Sequence, residues 1–300
     1  MRPFTGCGTA LVTPFHKDES LDETTLRSLV RRQIDAGIDF LVPCGTTGES
    51  PTLTRTEHLR VIEITLEEAK GRVPVLGGAG GYNTREVIEL AHELEHLGVD
   101  GILSVTPYYN KPTQEGLYQH YKAIAESIHL PIIVYSVQGR TGVNVEPATL
   151  ARLAAIPNIA GVKEASGNIT QMAGVIHQVP PDFIVLSGDD AITLPLIALG
   201  GRGIVSVVSN EIPAEMTQLA QLCLAGDFAA ARALQRKYLP LMEINFVESN
   251  PIPVKAAMAL MGLLEPVYRL PMVPPKPESL AKIEKVLESV NLLGRVTVAI

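Results

Sequence analysis

Cysteine is scarce in this 300-residue chain, and its three copies are widely separated. Cys7, Cys44 and Cys223 are odd in number and include no C-x-x-C pair. This pattern argues against a disulfide framework and against a zinc ribbon. It leaves the cytoplasm as the expected compartment.

Long apolar runs and an excess of basic charge are also missing. Uncharged apolar stretches such as residues 191–201 and 256–264 are far shorter than the roughly 20 residues that span a bilayer. Residues 1–15 lack the compact apolar core of a signal peptide. Lys and Arg total 25 against 32 Asp and Glu, a net charge of −7. We therefore expect no general affinity for nucleic acid or for anionic membranes.

What the sequence does contain is a regular alternation of β-rich runs and helix-like stretches. Eight apolar runs, typical of strands covered on both faces, occupy residues 9–13, 40–43, 73–76, 101–105, 131–137, 159–163, 183–186 and 204–208. Their starts are about 20–35 residues apart, which is the length of a strand plus a returning helix. Eight such repeats favour an α/β fold closed into a (β/α)8 TIM barrel.

The last quarter of the chain has a purely helical pattern. Its helix-like stretches are residues 228–246, 254–264 and 279–293. This exceeds what the eighth barrel helix requires. We therefore predict a barrel with the catalytic site over residues 1–226 and a C-terminal helical appendage over 227–300, packed on the barrel. Further upstream, Ser20 with Glu23 and Thr54 with Glu57 have the spacing of capping boxes that begin helices.

Lys163 is the most informative single residue, because function in such a barrel is expected at the C-terminal ends of the strands. It shares one strand face with Gly161 and Ala165, which leave room for a long side chain in the barrel interior. An unpaired ammonium is costly there, which favours a neutral, nucleophilic amine. The alternative is a lysine paired with a barrel carboxylate.

Other polar residues follow neighbouring strands. Tyr135 lies toward the end of the fifth run and is either a proton shuttle or a core tyrosine. Thr46 and Thr47 follow the second run, where they relay a proton, bind a carboxylate or simply form a βα turn. Arg140 suits a bidentate grip on a substrate carboxylate, or is an ordinary exposed arginine.

Two familiar patterns are set aside. His92 and His96 match the zinc-binding pattern H-E-x-x-H, but helical periodicity turns both away from the apolar face around Leu94. Gly78 and Gly80 resemble the start of a dinucleotide-binding loop whose third glycine is absent. We therefore predict no metal site and no nucleotide cofactor.

Six motifs in order give the chain a resemblance over nearly its whole length. They are GTTGE at 45–49, TPYYN at 106–110, Tyr135 with GRTG at 139–142, GVKEA at 161–165, LSGDD at 186–190 and NPIPVK at 250–255. With them the sequence resembles the dihydrodipicolinate synthase family of pyruvate-dependent class I aldolases. The resemblance implies a TIM-barrel lyase without metal or organic cofactor, assembled as a homotetramer of two tight dimers, or as a dimer.

The resemblance also implies a reaction. Lys163 is expected to form a Schiff base with pyruvate, whose enamine attacks L-aspartate 4-semialdehyde to give 4-hydroxy-tetrahydrodipicolinate for lysine and diaminopimelate biosynthesis. Tyr135, Thr46 and Tyr109 correspond to a proton relay, with Tyr109 reaching across from a neighbouring subunit.

The same resemblance assigns the substrate-binding residues. Thr47 corresponds to the residue that binds the pyruvate carboxylate, and Arg140 to the one that receives the semialdehyde's carboxylate. Gly188 and Val205 match positions that line the pocket.

The chain departs from the family next to Arg140. Ser136 and Gln138 stand where the synthases usually have asparagine and proline. Losing the proline removes a fixed φ before Arg140, which leaves the aldehyde partner open. The alternatives are an N-acetylneuraminate lyase-like enzyme, a 2-keto-3-deoxy sugar acid aldolase, a keto-acid dehydratase or, from a different class, a non-catalytic barrel that binds small carboxylates.

Relatives inhibited by lysine carry an allosteric pocket at a dimer interface. The matching positions are Ser50, Pro51, Arg55, His58, Tyr82, Glu86 and Tyr108. Arg55 and Tyr82 replace a histidine and an asparagine, which argues against feedback by lysine.

Overall fold

Eight parallel strands form the centre of the molecule. The computed structural model describes residues 4–293, and within them the strands are β1 (Gly6–Ala10), β2 (Phe40–Val42), β3 (Leu76–Gly78), β4 (Gly101–Val105), β5 (Ile132–Ser136), β6 (Ile159–Glu164), β7 (Ile184–Ser187) and β8 (Gly203–Ser206). Their order in the sheet is β2-β1-β8-β7-β6-β5-β4-β3. The ring closes where Leu41 of β2 pairs with Val75, just before β3, and donates its backbone N–H to the carbonyl oxygen of Pro74 at 2.9 Å. The predicted (β/α)8 barrel is confirmed.

Helices return the chain between the strands on the outside of the barrel. They are α1 (Glu23–Asp35), α2 (Arg55–Ala69), α3 (Thr84–Leu97), α4 (Gln114–Ser127), α5 (Gln138–Thr141), α6 (Pro147–Leu153), α7 (Ile169–Gln178), α8 (Thr193–Ala198) and α9 (Pro213–Leu224). The fifth return contains two helices, and the short α5 carries Arg140. None of the helices within residues 4–293 has both the length and the apolar character needed to cross a bilayer.

Three further helices follow the barrel and confirm the predicted C-terminal helices. They are α10 (Phe228–Ile244), α11 (Ile252–Leu260) and α12 (Pro277–Ser289). The last two begin two residues earlier than the sequence pattern indicates. The division of the chain at residue 227 stays a prediction, and residues 294–300 of the proposed appendage lie outside the described part of the chain.

The two proposed capping boxes have different outcomes. At the start of α2, the Thr54 hydroxyl accepts from the backbone of Glu57, and the Glu57 carboxylate accepts from the backbone of Thr54, which confirms the box. At α1 the prediction is wrong, because Asp22 is the capping residue and accepts from the Thr25 backbone at 2.9 Å. Ser20 instead hydrogen-bonds to Asp18.

Side chains from the inner faces of the strands fill the barrel. This interior cluster includes Phe40, Leu103, Tyr135, Leu186 and Val205, all buried. A second, larger cluster packs between the strands and the helices around them. The interior is therefore a packed core, and the cavity that Lys163 enters lies near the C-terminal ends of the strands.

Candidate active site

Lys163 and Tyr135 stand side by side on neighbouring strands. Tyr135 of β5 is in register with Lys163 of β6, so both side chains point into the barrel. Lys163 is 5% exposed and Tyr135 is 6% exposed. The Lys163 Nζ lies 4.1 Å from the centroid of the Tyr135 ring. The structure thus places a buried amine directly beside a tyrosine.

Lys163 has no acidic partner in the part of the chain that the structure describes. Within residues 4–293, no carboxylate forms an ion pair with its Nζ. The adjacent Glu164 points to the opposite face of β6, where its carboxylate accepts from the Gln171 side chain at 2.8 Å and from the Ser166 backbone at 3.3 Å. Burial raises the pKa of Glu164. The alternative of a lysine paired with a barrel carboxylate therefore finds no support.

Gly188 makes room for the lysine side chain. A Cβ at this position would lie 3.1 Å from Cε of Lys163 and 2.6 Å from Cβ of Ala165. Any larger residue would thus push against the amine's own carbon chain. The glycine after β7 is required by this close approach.

The Lys163 side chain opens into a cavity of about 120 Å³. The predicted site residues in its wall are Thr47, Tyr135, Arg140, Lys163 and Gly188. Val205 is not part of this wall: it lies in the interior cluster with Tyr135, whereas Val207, two residues later, lines the cavity. The volume suits a small keto acid.

Thr46 and Thr47 occupy a tight turn after β2 that is fixed from two sides. The Thr13 hydroxyl donates to the carbonyl oxygen of Gly48 at 2.7 Å. Lys255 of α11 forms an ion pair with Glu49 at 2.6 Å, and both side chains are 0–1% exposed. Burial lowers the pKa of Lys255, against the opposing influence of Glu49. The turn is therefore held by Thr13 from the segment after β1 and by Lys255 from α11.

Arg140 lies at the junction between the Lys163 cavity and a wider, open cavity of about 850 Å³. One of its nitrogens, Nη2, donates to the backbone oxygen of Asn250 at 3.2 Å. Gln138 also faces the open cavity, whereas Ser136 is buried and accepts from the Val145 backbone at 3.1 Å. Of the two departures from the family pattern, only Gln138 thus adjoins space that a substrate can occupy.

Tyr109 is not brought to the Lys163 cavity. Its side chain is 92% exposed, and its backbone has a φ of 68°, a left-handed conformation that costs free energy in a non-glycine residue. It lines the open cavity together with Thr46.

Only some of the predicted allosteric residues lie around one cavity. Ser50, Pro51, His58 and Tyr108 line a further cavity of about 140 Å³, which also has Thr46 in its wall. His58 Nε2 lies 2.8 Å from the carbonyl oxygen of Gly78, and burial lowers the pKa of His58. Tyr82 packs edge-on against Tyr108 with ring centroids 5.2 Å apart.

The two remaining allosteric candidates have partners of their own. Arg55 forms an ion pair with Glu93 at 2.7 Å. Glu86 accepts from the Asn83 side chain at 2.7 Å. Neither contributes to the wall of the 140 Å³ cavity.

The H-E-x-x-H segment lies on α3, on the outside of the barrel. His96 Nδ1 is 2.7 Å from the backbone oxygen of His92, within the same helix. In the part of the chain that the structure describes, no three His, Cys, Asp or Glu side chains are grouped as metal ligands would be.

Two residues of the site were given no role from the sequence. Asn250 lines the Lys163 cavity, and Lys255 anchors the turn at Glu49. A signal for Lys255 was available, because it is the single charged residue in the apolar stretch 250–264. Asn250 is the first residue of the family motif at 250–255, but asparagine before proline is also a common turn pair, so the motif by itself assigned it no role.

Comparison with known proteins gives one consistent result. Residues 3–290 match the model of the Dihydrodipicolinate synthetase family. A protein from Koribacter versatilis strain Ellin345, named 4-hydroxy-tetrahydrodipicolinate synthase, is 56% identical over 295 residues, which are 98% of this chain and 98% of its own.

Two solved structures extend the comparison. The chloride-inhibited dihydrodipicolinate synthase of Acinetobacter baumannii, complexed with pyruvate, is 43% identical with a TM-score of 0.96, covering 97% of this chain and 100% of that one. The enzyme of Cyanidioschyzon merolae with lysine bound is 39% identical with a TM-score of 0.93, covering 97% and 99%. The family predicted from the motifs is confirmed: the chain belongs to the dihydrodipicolinate synthetase family and is an aldolase-type lyase.

Proposed function

We propose that this chain condenses pyruvate with L-aspartate 4-semialdehyde to form 4-hydroxy-tetrahydrodipicolinate, a step of lysine and diaminopimelate biosynthesis. The observation that carries the proposal is Lys163, a buried amine without an acidic partner among the described residues, which opens into a small cavity beside Tyr135. The name of the Koribacter relative and the pyruvate bound to the Acinetobacter relative support it.

The covalent steps begin at the lysine nitrogen. Nζ of Lys163 attacks C2 of pyruvate, and loss of one water leaves an imine. The imine withdraws electrons from C3, so that a C3 proton leaves and an enamine forms. The enamine carbon attacks the aldehyde carbon of the semialdehyde, which makes the new C–C bond and a hydroxyl. The amino group of the second substrate then attacks C2, closes the ring and releases Lys163, so the overall reaction yields one water.

Each proton transfer needs a group within reach of the reacting atoms. We assign these transfers to Tyr135, Thr46 and Tyr109. Tyr135 and Thr46 both line the 140 Å³ cavity, and Thr46 and Tyr109 both line the open one. Because Thr46 lines both cavities, it can connect Tyr135 with Tyr109. This arrangement supports a proton relay from the buried imine to the solvent.

Two carboxylate groups must be held at the same time. Thr47, in the wall of the Lys163 cavity, is proposed to bind that of pyruvate. Arg140, at the junction of the two cavities, is proposed to bind that of the semialdehyde, because a guanidinium grips a carboxylate through two parallel hydrogen bonds. Gly188 keeps the lysine chain free. A carboxylated aldehyde is therefore expected to react faster than a neutral sugar-derived one.

Membership of the family also supports proposals about assembly, location and inhibition by lysine. We infer a homotetramer made of two tight dimers, or a dimer, in which Tyr109 enters the site of a neighbouring subunit; its exposure supports this arrangement. Three free, buried cysteines support a cytoplasmic location. Arg55 and Tyr82 depart from the pattern of the lysine-inhibited relatives, so we expect L-lysine to be a poor inhibitor when added to the assay.

Chemical trapping tests the imine directly. Borohydride in the presence of pyruvate is expected to fix a reduced three-carbon adduct on Lys163, identified by mass spectrometry of the peptides. Lys255 serves as an internal control, because it is buried in its ion pair with Glu49 and outside the cavity. An unmodified Lys163, or an adduct on another lysine, would overturn the proposal.

A further inference from the structure

Asn250 connects two residues that lie far apart along the chain. Its side-chain Nδ2 donates to the hydroxyl oxygen of Thr47 at 3.0 Å. Its backbone oxygen accepts from Nη2 of Arg140 at 3.2 Å. Asn250 is 5% exposed and belongs to the wall of the Lys163 cavity. One residue of the C-terminal region therefore contacts both side chains to which substrate carboxylates are assigned.

The direction of the bond to Thr47 decides what the hydroxyl can do. A hydroxyl has one hydrogen to donate and lone pairs to accept with. Because Nδ2 of Asn250 donates to Thr47, the threonine's own hydrogen is left for another acceptor. No side chain or backbone oxygen within residues 4–293 takes it. A carboxylate in the cavity is an acceptor only and fits this free hydrogen.

We propose that Asn250 is a positioning residue that turns the Thr47 hydroxyl into a hydrogen-bond donor aimed at the pyruvate carboxylate. The inference rests on the proposed function and adds to it. Asn250 does not itself have to touch pyruvate. It holds Thr47 in one orientation and, through its backbone, it holds Arg140 at the mouth of the same cavity.

The surroundings of Asn250 fit a positioning role. Five residues later, Lys255 is fixed by Glu49 at 2.6 Å and by the backbone oxygen of Thr13 at 3.1 Å. This ion pair ties the start of α11 to the same turn that carries Thr47. In contrast, Oδ1 of Asn250 has no partner in the described part of the chain. The amide is thus not part of a larger structural network, and its bond to Thr47 is what orients it.

The Asn250→Asp variant tests the direction of this bond with almost no change in shape. A carboxylate there accepts from Thr47 instead of donating to it, and it places a negative charge beside the substrate's own. The pyruvate concentration that gives half-maximal borohydride trapping is expected to rise about tenfold or more, the usual effect of losing a hydrogen bond to a charged group. As pH falls the introduced carboxyl becomes protonated and can donate, so the deficit relative to the wild type should shrink.

A double-mutant cycle measures whether Asn250 acts through Thr47. Asn250→Ala alone is expected to raise the half-saturating pyruvate concentration, but to add little once Thr47 has been changed to Val. Additive effects of the two substitutions would overturn the inference. Because the cycle does not use the aspartate variant, it still tests the inference if that variant fails to fold.

Asn245 provides the matched control. It is a buried asparagine of the same region that donates to Glu211 at 2.6 Å, away from the cavity. Asn245→Ala is expected to lower the melting temperature and leave the half-saturating pyruvate concentration unchanged. If Asn250→Asp behaves in the same way, Asn250 is only structural and the inference is wrong. Failure of the wild type to be trapped at all would instead contradict the proposed function.

Discussion

At the scale of single residues, the site is built from buried polar side chains. Some can be recognised from their own strand, whereas others depend on a partner that is distant in the sequence. Lys163 could be predicted because its own strand shows that it is buried. Tyr135 followed from the neighbouring strand end. Asn250 could not be predicted, since its partner Thr47 is 203 positions away and only the closed barrel brings them together. Sequence reasoning therefore found the nucleophile but not the residue that we infer to orient its substrate.

Gly188→Ala tests the close packing around the nucleophile. The added Cβ would meet Cβ of Ala165 at 2.6 Å and Cε of Lys163 at 3.1 Å. Displacing a reacting group by about 1 Å costs on the order of 10²-fold in rate, so we expect kcat to fall by about that factor. Steady-state kinetics and the rate of borohydride trapping measure this.

The control for this variant is Gly174→Ala on α7, where the new Cβ would lie 3.7 Å from the Pro147 ring, an ordinary contact. It should leave kcat unchanged and stabilise the helix by up to about 1 kcal/mol. A Gly188→Ala enzyme that is trapped at the wild-type rate would show that Lys163 is not crowded.

At the scale of secondary structure, the order of strands and helices was predictable, and two strand positions were not. β1 lies at Gly6–Ala10 where residues 9–13 were expected, and β3 lies at Leu76–Gly78 where 73–76 were expected. Both strands contain glycines, and glycine in a sequence is typical of turns. A Cβ at Gly8 would fall 2.1 Å from the ring of Phe40, its partner on the neighbouring strand β2, so the glycine is needed for packing between the two strands, which no local pattern reveals.

The contact between α2 and the segment after α11 gives a prediction about acid stability. Glu57 pairs with Arg269 through two hydrogen bonds, at 2.6 and 2.9 Å. The Arg269 guanidinium is the main reason that the pKa of Glu57 falls from 4.5 to about 2. A depressed carboxyl pKa stabilises the fold above about pH 4.5, and this stabilisation is lost as the pH falls toward 2.

Glu57→Gln removes the charge and keeps a side chain that can complete the capping box. At pH 7 the free energy of unfolding is expected to fall by about 1–2 kcal/mol, allowing for solvent screening. The difference from the wild type should disappear near pH 2, as measured by urea denaturation across this range. The control is Glu288→Gln, on the exposed side of α12. It should leave the free energy of unfolding unchanged both at pH 7 and near pH 2. A constant difference at every pH would rule out the charge as the cause.

At the scale of the whole molecule, the proposed site is divided between a buried centre and an exposed residue. Lys163 and Tyr135 are enclosed, whereas Tyr109 stands almost fully exposed in a left-handed backbone conformation. A strained, exposed tyrosine contributes little to the stability of its own subunit. Its position is explained if a second copy of the chain covers it and completes a site on the other side of the interface.

Mixing two inactive variants tests this division. Lys163→Ala lacks the nucleophile, and Tyr109→Phe lacks the relay hydroxyl, so each alone is expected to be nearly inactive. In an equal mixture half of the tight dimers are hybrids, and one of the two sites in each hybrid combines a native Lys163 with a native Tyr109 from its neighbour. After dissociation and reassembly the mixture should therefore recover about a quarter of the wild-type activity. Hybrid dimers isolated by two different affinity tags should account for all of the recovered activity. If purified hybrids are as inactive as the parents, or if Tyr109→Phe alone keeps full activity, Tyr109 does not act across the interface.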